Sequence, residues 1–113
     1  NAVVVLKGAA TVIGCPDGTV YVNKTGCEAM ATGGCGDVLT GIIAGLAAQG
    51  VSLQEATLCG VFLHGLAGEY AADGKVGLAA GEIANFLPEA RADVFEMLDA
   101  EELVYNHAVK VIE

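Results

Sequence analysis

The run Ala31-Thr32-Gly33-Gly34-Cys35-Gly36-Asp37 has the composition of an anion cradle. Its glycines leave the backbone without Cβ atoms, so several N–H groups can converge on one anion. Apolar spacing resumes after them and predicts a helix over Gly36–Gln49, closed by Gly50. The N-terminus of that helix adds unpaired donors and the positive end of its dipole. Asp37 falls in or beside the first turn, where a carboxylate is well placed. A tight turn followed by an ordinary N-terminal helix carboxylate would use the same residues. No Gly-Lys-Ser/Thr follows, so this is not a Walker A loop.

Other reactive side chains are few. Lys7 ends an apolar run, and the carboxyl end of a strand commonly faces the ligand crevice of an α/β sheet. His64 sits on the apolar face of a predicted helix and reads first as a packing histidine. Cys35 lies inside the glycine loop, where it contributes its backbone N–H. Asn23 and Thr25 can brace that loop through side-chain to backbone bonds. Met30 reads as packing. The cysteines at 15, 27, 35 and 59 and the histidines at 64 and 107 form no C-x-x-C and no metal-type spacing. No metal site is therefore expected, and the thiols read as free.

The elements that must position these groups follow from periodicity and turn chemistry. Val3–Leu6 reads as a buried strand, of the kind that usually sits inside a parallel sheet. Such an opening strand suggests half of a domain, with something upstream missing. Ala10–Ile13 and Thr19–Val22 flank Cys15-Pro16-Asp17-Gly18, a turn signal that predicts a hairpin. Ser52-Leu53-Gln54-Glu55 reads as a capping box opening a helix to about Ala72. On that helix Leu53, Ala56, Gly60, Leu63, His64 and Ala67 share one face, and its small residues allow a neighbour to approach closely. A shorter helix near Ala79–Leu87 is expected to end at Pro88. The tail from Glu89 to Glu113 reads as helical in its first half and carries seven of the 14 acidic residues, as a solvated appendix or an oligomer contact.

Composition narrows the class. The chain has 113 residues, is charge-poor at 17% and Gly-rich with 16 glycines, and has a mean hydropathy of +0.57, which excludes disorder. The longest stretch without a charged side chain is Val38–Gln54, 17 residues, short of the roughly 20 that a spanning helix needs. A buried helix of a soluble α/β protein fits better. A net charge of −9 makes nucleic acid and anionic membranes poor partners. An anionic metabolite can still bind through local N–H groups.

The stretch NKTGCEAMATGGCGDVLTGIIAGL, preceded by VVVLKGAATVI and followed by FLHGLAG, resembles the C-terminal half of the ribokinase-like ADP/ATP-dependent NAD(P)H-hydrate dehydratases. The resemblance covers about Val3 to Pro88. The Gly-x-Gly-Asp helix start belongs to the wider ribokinase-like superfamily, whereas TGGCGDVLTGIIAGL with LKGA and LHGLAG is more specific to the dehydratases. It implies an α/β fold, the C-terminal portion of a ribokinase-like three-layer α/β/α domain over residues 1–88, with 89–113 as an acidic, helical C-terminal extension.

The resemblance further implies that Lys7, Gly8, Ala9, Ala10 and Thr11, with Thr32, Gly33, Gly34, Cys35 and Gly36, hold ADP or ATP with Mg²⁺. It makes Asp37 the residue that contacts the hydrated nicotinamide and acts as base. Family members usually carry Asn-Pro-Gly where this chain has Cys27-Glu28-Ala29, which places an extra acid near the phosphates. The implied activity is repair: NADH hydrate or NADPH hydrate is dehydrated at the expense of a nucleotide, in the cytoplasm, by a homo-oligomer that engages neither nucleic acid nor membrane. Two alternatives stand beside it: a ribokinase-like kinase for a sugar or vitamin precursor, and a non-catalytic nucleotide-binding or oligomerising fragment.

Overall fold

The computed structural model describes residues 1–75, 77–97 and 109–112, with only the backbone of 95–97 and 109–112. Strands β1 (Val4–Leu6), β2 (Val12–Gly14) and β3 (Val20–Asn23) lead through a single 3₁₀ turn (Glu28–Met30) into four helices. These are α1 (Cys35–Ala48), α2 (Leu53–Ala72), α3 (Ala80–Asn85) and α4 (Leu87–Met97), and strand β4 (Val109–Ile112) follows. The described strands form one sheet in the order β1-β2-β3-β4, every pair antiparallel.

The expected hairpin is present, with Ile13 opposite Tyr21. Its turn closes through Gly18 N–H to the Cys15 carbonyl at 3.0 Å, and the Asp17 carboxylate accepts from Thr19 N–H at 2.9 Å. Gly18 has φ +89°, a conformation that costs glycine little and other residues more.

The opening strand departs from expectation. It is not buried and not parallel: β1 stands at one end of the strand order, with Val4 53% and Leu6 64% exposed. Strand side chains alternate between faces. Val5 and Ile13 turn inward against Leu39 of α1 and Val61 of α2. Val4 and Leu6 therefore fall with Val12, Val20 and Val22 on the face turned away from the helices. An all-apolar sequence reports two apolar faces; it does not report that both are covered by this chain.

A similar correction applies to α1. Its charge-free sequence suggests a buried helix, yet only Cys35 and Leu39 are buried. Gly41, Ala44, Gly45 and Ala48 face outward, where small side chains expose little apolar area. Burial is concentrated instead in α2, which α1, α3, α4 and the 3₁₀ turn all contact. Ala56, Thr57, Gly60, Val61, His64, Gly65 and Ala67 are all buried, so α2 is enclosed on more sides than the single predicted face. Leu53, assigned to that face, is 67% exposed because it occupies the first turn. A methyl on Gly60 would come within 2.7 Å of Ile43 Cγ1, which is how closely α1 and α2 approach.

Ser52 caps α2 as expected: its hydroxyl accepts from Glu55 N–H at 3.2 Å. Replacing a capping serine by alanine costs about 1 kcal/mol. Ser52→Ala is therefore expected to lower the midpoint of urea unfolding without changing its slope; an unchanged midpoint would show that this bond contributes nothing.

The shorter helix ends earlier than expected, at Asn85, and Pro88 does not stop it. Pro88 lies in the first turn of α4, where a missing N–H has no intrahelical acceptor to lose. Ala90 of α4 is fully buried with Ile83, Ala67 and Ala71. The tail's first half is thus helical, but it continues into a strand: β4 pairs with β3, Tyr21 opposite Val111. Residues 98–108 and 113, with much of the tail's acidic charge and His107, lie outside the described residues.

Candidate functional site

Between the sheet end and the start of α1 lies a cleft of about 700 Å³. Lys7, Gly8, Ala9 and Thr11 line one side, from the loop after β1. Asn23, Thr25, Gly26 and Glu28 line a second with Cys27, Met30 and Ala31, and Cys35, Gly36, Leu39, Val61, His64 and Gly65 complete it.

The glycine loop enters α1 through Gly34, whose φ of +93° is unfavourable for a residue with a side chain. No side chain caps this helix. The first intrahelical bond runs from Val38 N–H to the Gly34 carbonyl at 3.1 Å, so the N–H groups of Cys35, Gly36 and Asp37 have no helical acceptor. The Lys7 ammonium lies directly against Gly36, in space that a Cβ at 36 would fill. A cation on a long stem thus meets bare donors at the positive end of a helix. That arrangement suits a multiply charged anion.

The loop from 23 to 30 is pinned to α2 rather than free. The Asn23 side-chain amide donates to the Thr25 carbonyl at 3.2 Å and its hydroxyl at 2.8 Å. The Thr25 hydroxyl is within 3.1 Å of the Phe62 carbonyl, and Gly26 N–H donates to Glu69 Oε1 at 2.9 Å. Gly65 and Gly68 leave room for Thr25 and Met30, which fill the positions their Cβ atoms would take.

His64 lies on the cleft wall and is 9% exposed. Its Nε2 is buried with no hydrogen-bond partner among the described residues. Burial lowers the imidazole pKa below its ordinary value; the facing Cys35 carbonyl opposes this and the Lys7 charge adds to it. The unfolded chain therefore binds this proton at higher pH than the folded one. The sign follows: stability should fall as pH drops below about 6.5, the ordinary histidine value, until the folded-state pKa is passed. His64→Asn should flatten that part of a stability-against-pH curve. An unchanged curve would mean that the ring titrates as it does in water.

Of the residues assigned from sequence, Lys7, Gly8, Ala9, Thr11, Cys35 and Gly36 meet around the cleft. Ala10, Thr32, Gly33 and Gly34 do not line it, and neither does Asp37, which is exposed on the first turn of α1. The Asn23–Thr25 brace is present. Glu28, the extra acid noted in the sequence, also lines the cleft, whereas Gly65 and Val61 are lining residues that the sequence did not single out. The signal for Gly65 was its place with Gly68 on one side of α2, three residues apart. Among the described residues no cluster of His, Cys, Asp and Glu could hold a metal ion, and no described helix is long and apolar enough to cross a membrane.

A family model described as NAD(P)H-hydrate dehydratase matches residues 1–89. The chain belongs to that family. Among NAD(P)H-hydrate dehydratase relatives, it is 47% identical over 114 residues to a bifunctional NAD(P)H-hydrate repair enzyme Nnr from Thermofilum pendens, covering 99% of this chain and 21% of that protein. It is 48% identical over 94 residues to an ADP-dependent (S)-NAD(P)H-hydrate dehydratase from Neisseria meningitidis, covering 80% and 31%. An ADP/ATP-dependent NAD(P)H-hydrate dehydratase from Bacillus subtilis, co-crystallised with ATP and Mg²⁺, superposes with a TM-score of 0.77 at 40% identity over 81% of this chain and 34% of that one. The expected α/β fold is therefore that of the dehydratases. The chain spans less than a third of the length of these curated relatives.

Proposed function

We propose that this chain supplies the nucleotide-binding and catalytic part of an ADP- or ATP-dependent NAD(P)H-hydrate dehydratase. The observation that carries the reading is the Lys7 ammonium seated against Gly36 at an uncapped helix start, in a member of the dehydratase family. Lys7, Gly8, Ala9, Ala10 and Thr11 with Thr32, Gly33, Gly34, Cys35 and Gly36 hold the nucleotide. Asp37 contacts the hydrated nicotinamide and accepts a proton.

The chemistry follows from the substrate. The hydroxyl oxygen of NADH or NADPH hydrate attacks the terminal phosphorus of the nucleotide and loses its proton to Asp37, while the phosphoanhydride P–O bond breaks and AMP leaves from ADP, or ADP from ATP. The new phosphate ester then breaks at its carbon–oxygen bond. Inorganic phosphate departs with the electron pair, and a proton leaves the neighbouring ring carbon to restore the double bond. Phosphoryl transfer has a loose transition state with charge spread over the phosphoryl oxygens, so positioned donors matter more than a strong base. The N–H groups of Cys35 and Gly36, with Lys7, receive that charge. Mg²⁺, bound with the nucleotide, would supply neutralisation of phosphate charge. This sparse donor set fits it, because Mg²⁺ is usually held by phosphates, waters and one or two carboxylates.

The net charge of −9 supports a working partner that is a small metabolite and not nucleic acid or an anionic membrane. We assign the protein to the cytoplasm as a homo-oligomer, and residues 1–88 to the dehydratase domain with 89–113 as its extension. Calorimetric titration of the full-length gene product with ADP or ATP and Mg²⁺ tests the nucleotide part. Saturable binding is expected; no saturable heat with either nucleotide would remove it.

A further inference from the structure

A donor and an acceptor without partners among the described residues belong to side chains that line the same cleft. The Lys7 ammonium, with three N–H donors, makes no ion pair among the described residues. Its seat against Gly36 puts it next in sequence to Cys35, whose carbonyl faces the His64 ring. On the same wall, His64 is nine-tenths buried and its Nε2 lacks a partner, although buried polar atoms are rarely left so. The ring stays neutral near pH 7 because burial and the Lys7 charge both disfavour a second proton. A neutral imidazole carries one N–H and one lone pair, and in the tautomer with the proton on Nδ1 the unpartnered Nε2 accepts a hydrogen bond. Lysine has a flexible four-carbon stem, and small rotations swing its ammonium between neighbouring acceptors.

We propose that His64 is a positioning residue for Lys7: its Nε2 accepts a hydrogen bond from the Lys7 ammonium and holds that charge beside Gly36, where the phosphate oxygens of a nucleotide bind. The inference rests on the nucleotide reading above and adds to it a residue that does not touch the phosphates. It also accounts for a polar histidine inside an otherwise aliphatic and small-residue wall.

The test separates the two ring nitrogens. His64→Asn keeps an amide group near the Nδ1 position, but nothing remains at the Nε2 position. In His64→Gln the amide oxygen reaches that position. Affinity for ADP with Mg²⁺ is measured by calorimetry on the full-length gene product, for wild type, both variants, Lys7→Ala and the Lys7→Ala/His64→Asn double variant. His64→Asn is expected to weaken ADP binding on the order of tenfold, a single hydrogen bond's worth, and His64→Gln to recover most of it. In the Lys7→Ala background His64→Asn should cost nothing further, the signature of two residues acting as one unit. Equal losses in both backgrounds, or wild-type affinity in His64→Asn, would overturn the proposal. If wild type itself binds no nucleotide, the functional reading fails and the proposal with it. A ¹⁵N spectrum of the histidine rings needs no change at position 64. With ADP bound, the Nε2 resonance should differ between wild type and Lys7→Ala; an unchanged resonance also overturns the assignment.

Discussion

Asp37→Asn is expected to reduce dehydration on the order of a thousandfold or more, with nucleotide affinity held within several-fold of wild type. The substitution is nearly isosteric, and an asparagine at this position of α1 can still orient toward the free N–H groups of the first turn. What it removes is the only carboxylate in that turn, and with it a proton acceptor beside the donors that would receive phosphoryl charge. Positioned general bases are worth about a hundred- to ten-thousandfold. The affinity should survive because the cleft is lined by Lys7, Gly36 and their neighbours and not by Asp37. A variant turning over near the wild-type rate would sink the assignment of Asp37. A variant that lost nucleotide binding in proportion would instead make Asp37 part of the nucleotide site.

Gly65→Ala is expected to cost about 2 kcal/mol of stability and to weaken nucleotide binding as well. A methyl there would overlap the Thr25 hydroxyl and lie 2.7 Å from the Thr25 backbone carbon. Neither partner can yield cheaply. Gly65 is inside α2, and Thr25 is tied to Asn23 and to the Phe62 carbonyl. Overpacking of this kind costs about 1–3 kcal/mol, and contact with backbone instead of a side-chain end places it toward the upper part of that range. The gain in helix propensity from Gly to Ala, about 1 kcal/mol, offsets part of it. For a domain of this size the melting temperature should fall on the order of 10 °C. The loop from 23 to 26 must lift from α2, breaking the Gly26–Glu69 bond and moving the cleft wall that Thr25 and Gly26 form. Gly45→Ala, where a methyl meets nothing within 4 Å, is the control and should leave stability unchanged or slightly raised. Equal melting of Gly65→Ala and wild type would contradict the packing described here.

What the sequence made legible was local. Cys15-Pro16-Asp17-Gly18 encodes its turn through φ restraints that act within four residues, and the hairpin is where that turn demands. The glycines before Asp37 likewise mark a helix start whose geometry depends on Gly34 alone adopting a positive φ. Ser52 and Glu55 fix the start of α2 in the same way, although only the Ser52 half of the box forms. What stayed hidden depends on partners distant in the chain. The apolar residues of β1 say nothing about its neighbour's direction, and its exposed face follows from where the helices lie. Charge-free α1 looks buried because glycine and alanine are scored as apolar, yet they are inexpensive to expose. The brace among Asn23, Thr25 and Gly65 joins residues about forty positions apart in the sequence, and no periodicity connects them. The cleft's membership was half readable for the same reason: Lys7 and Gly36 carry recognisable chemistry, whereas Val61 and Gly65 contribute only shape.

The site and family membership together make one central claim, that the nucleotide's phosphoryl group is spent on removing water from a hydrated nicotinamide. The full-length gene product, NADH hydrate, Mg²⁺ and either ADP or ATP are incubated together, and reduced nicotinamide, inorganic phosphate and residual nucleotide are measured. Reduced nicotinamide should return in step with inorganic phosphate, one for one with nucleotide consumed, and only when nucleotide is present. Accumulation of a stable phosphorylated compound without return of reduced nicotinamide would contradict the account and make the protein a kinase.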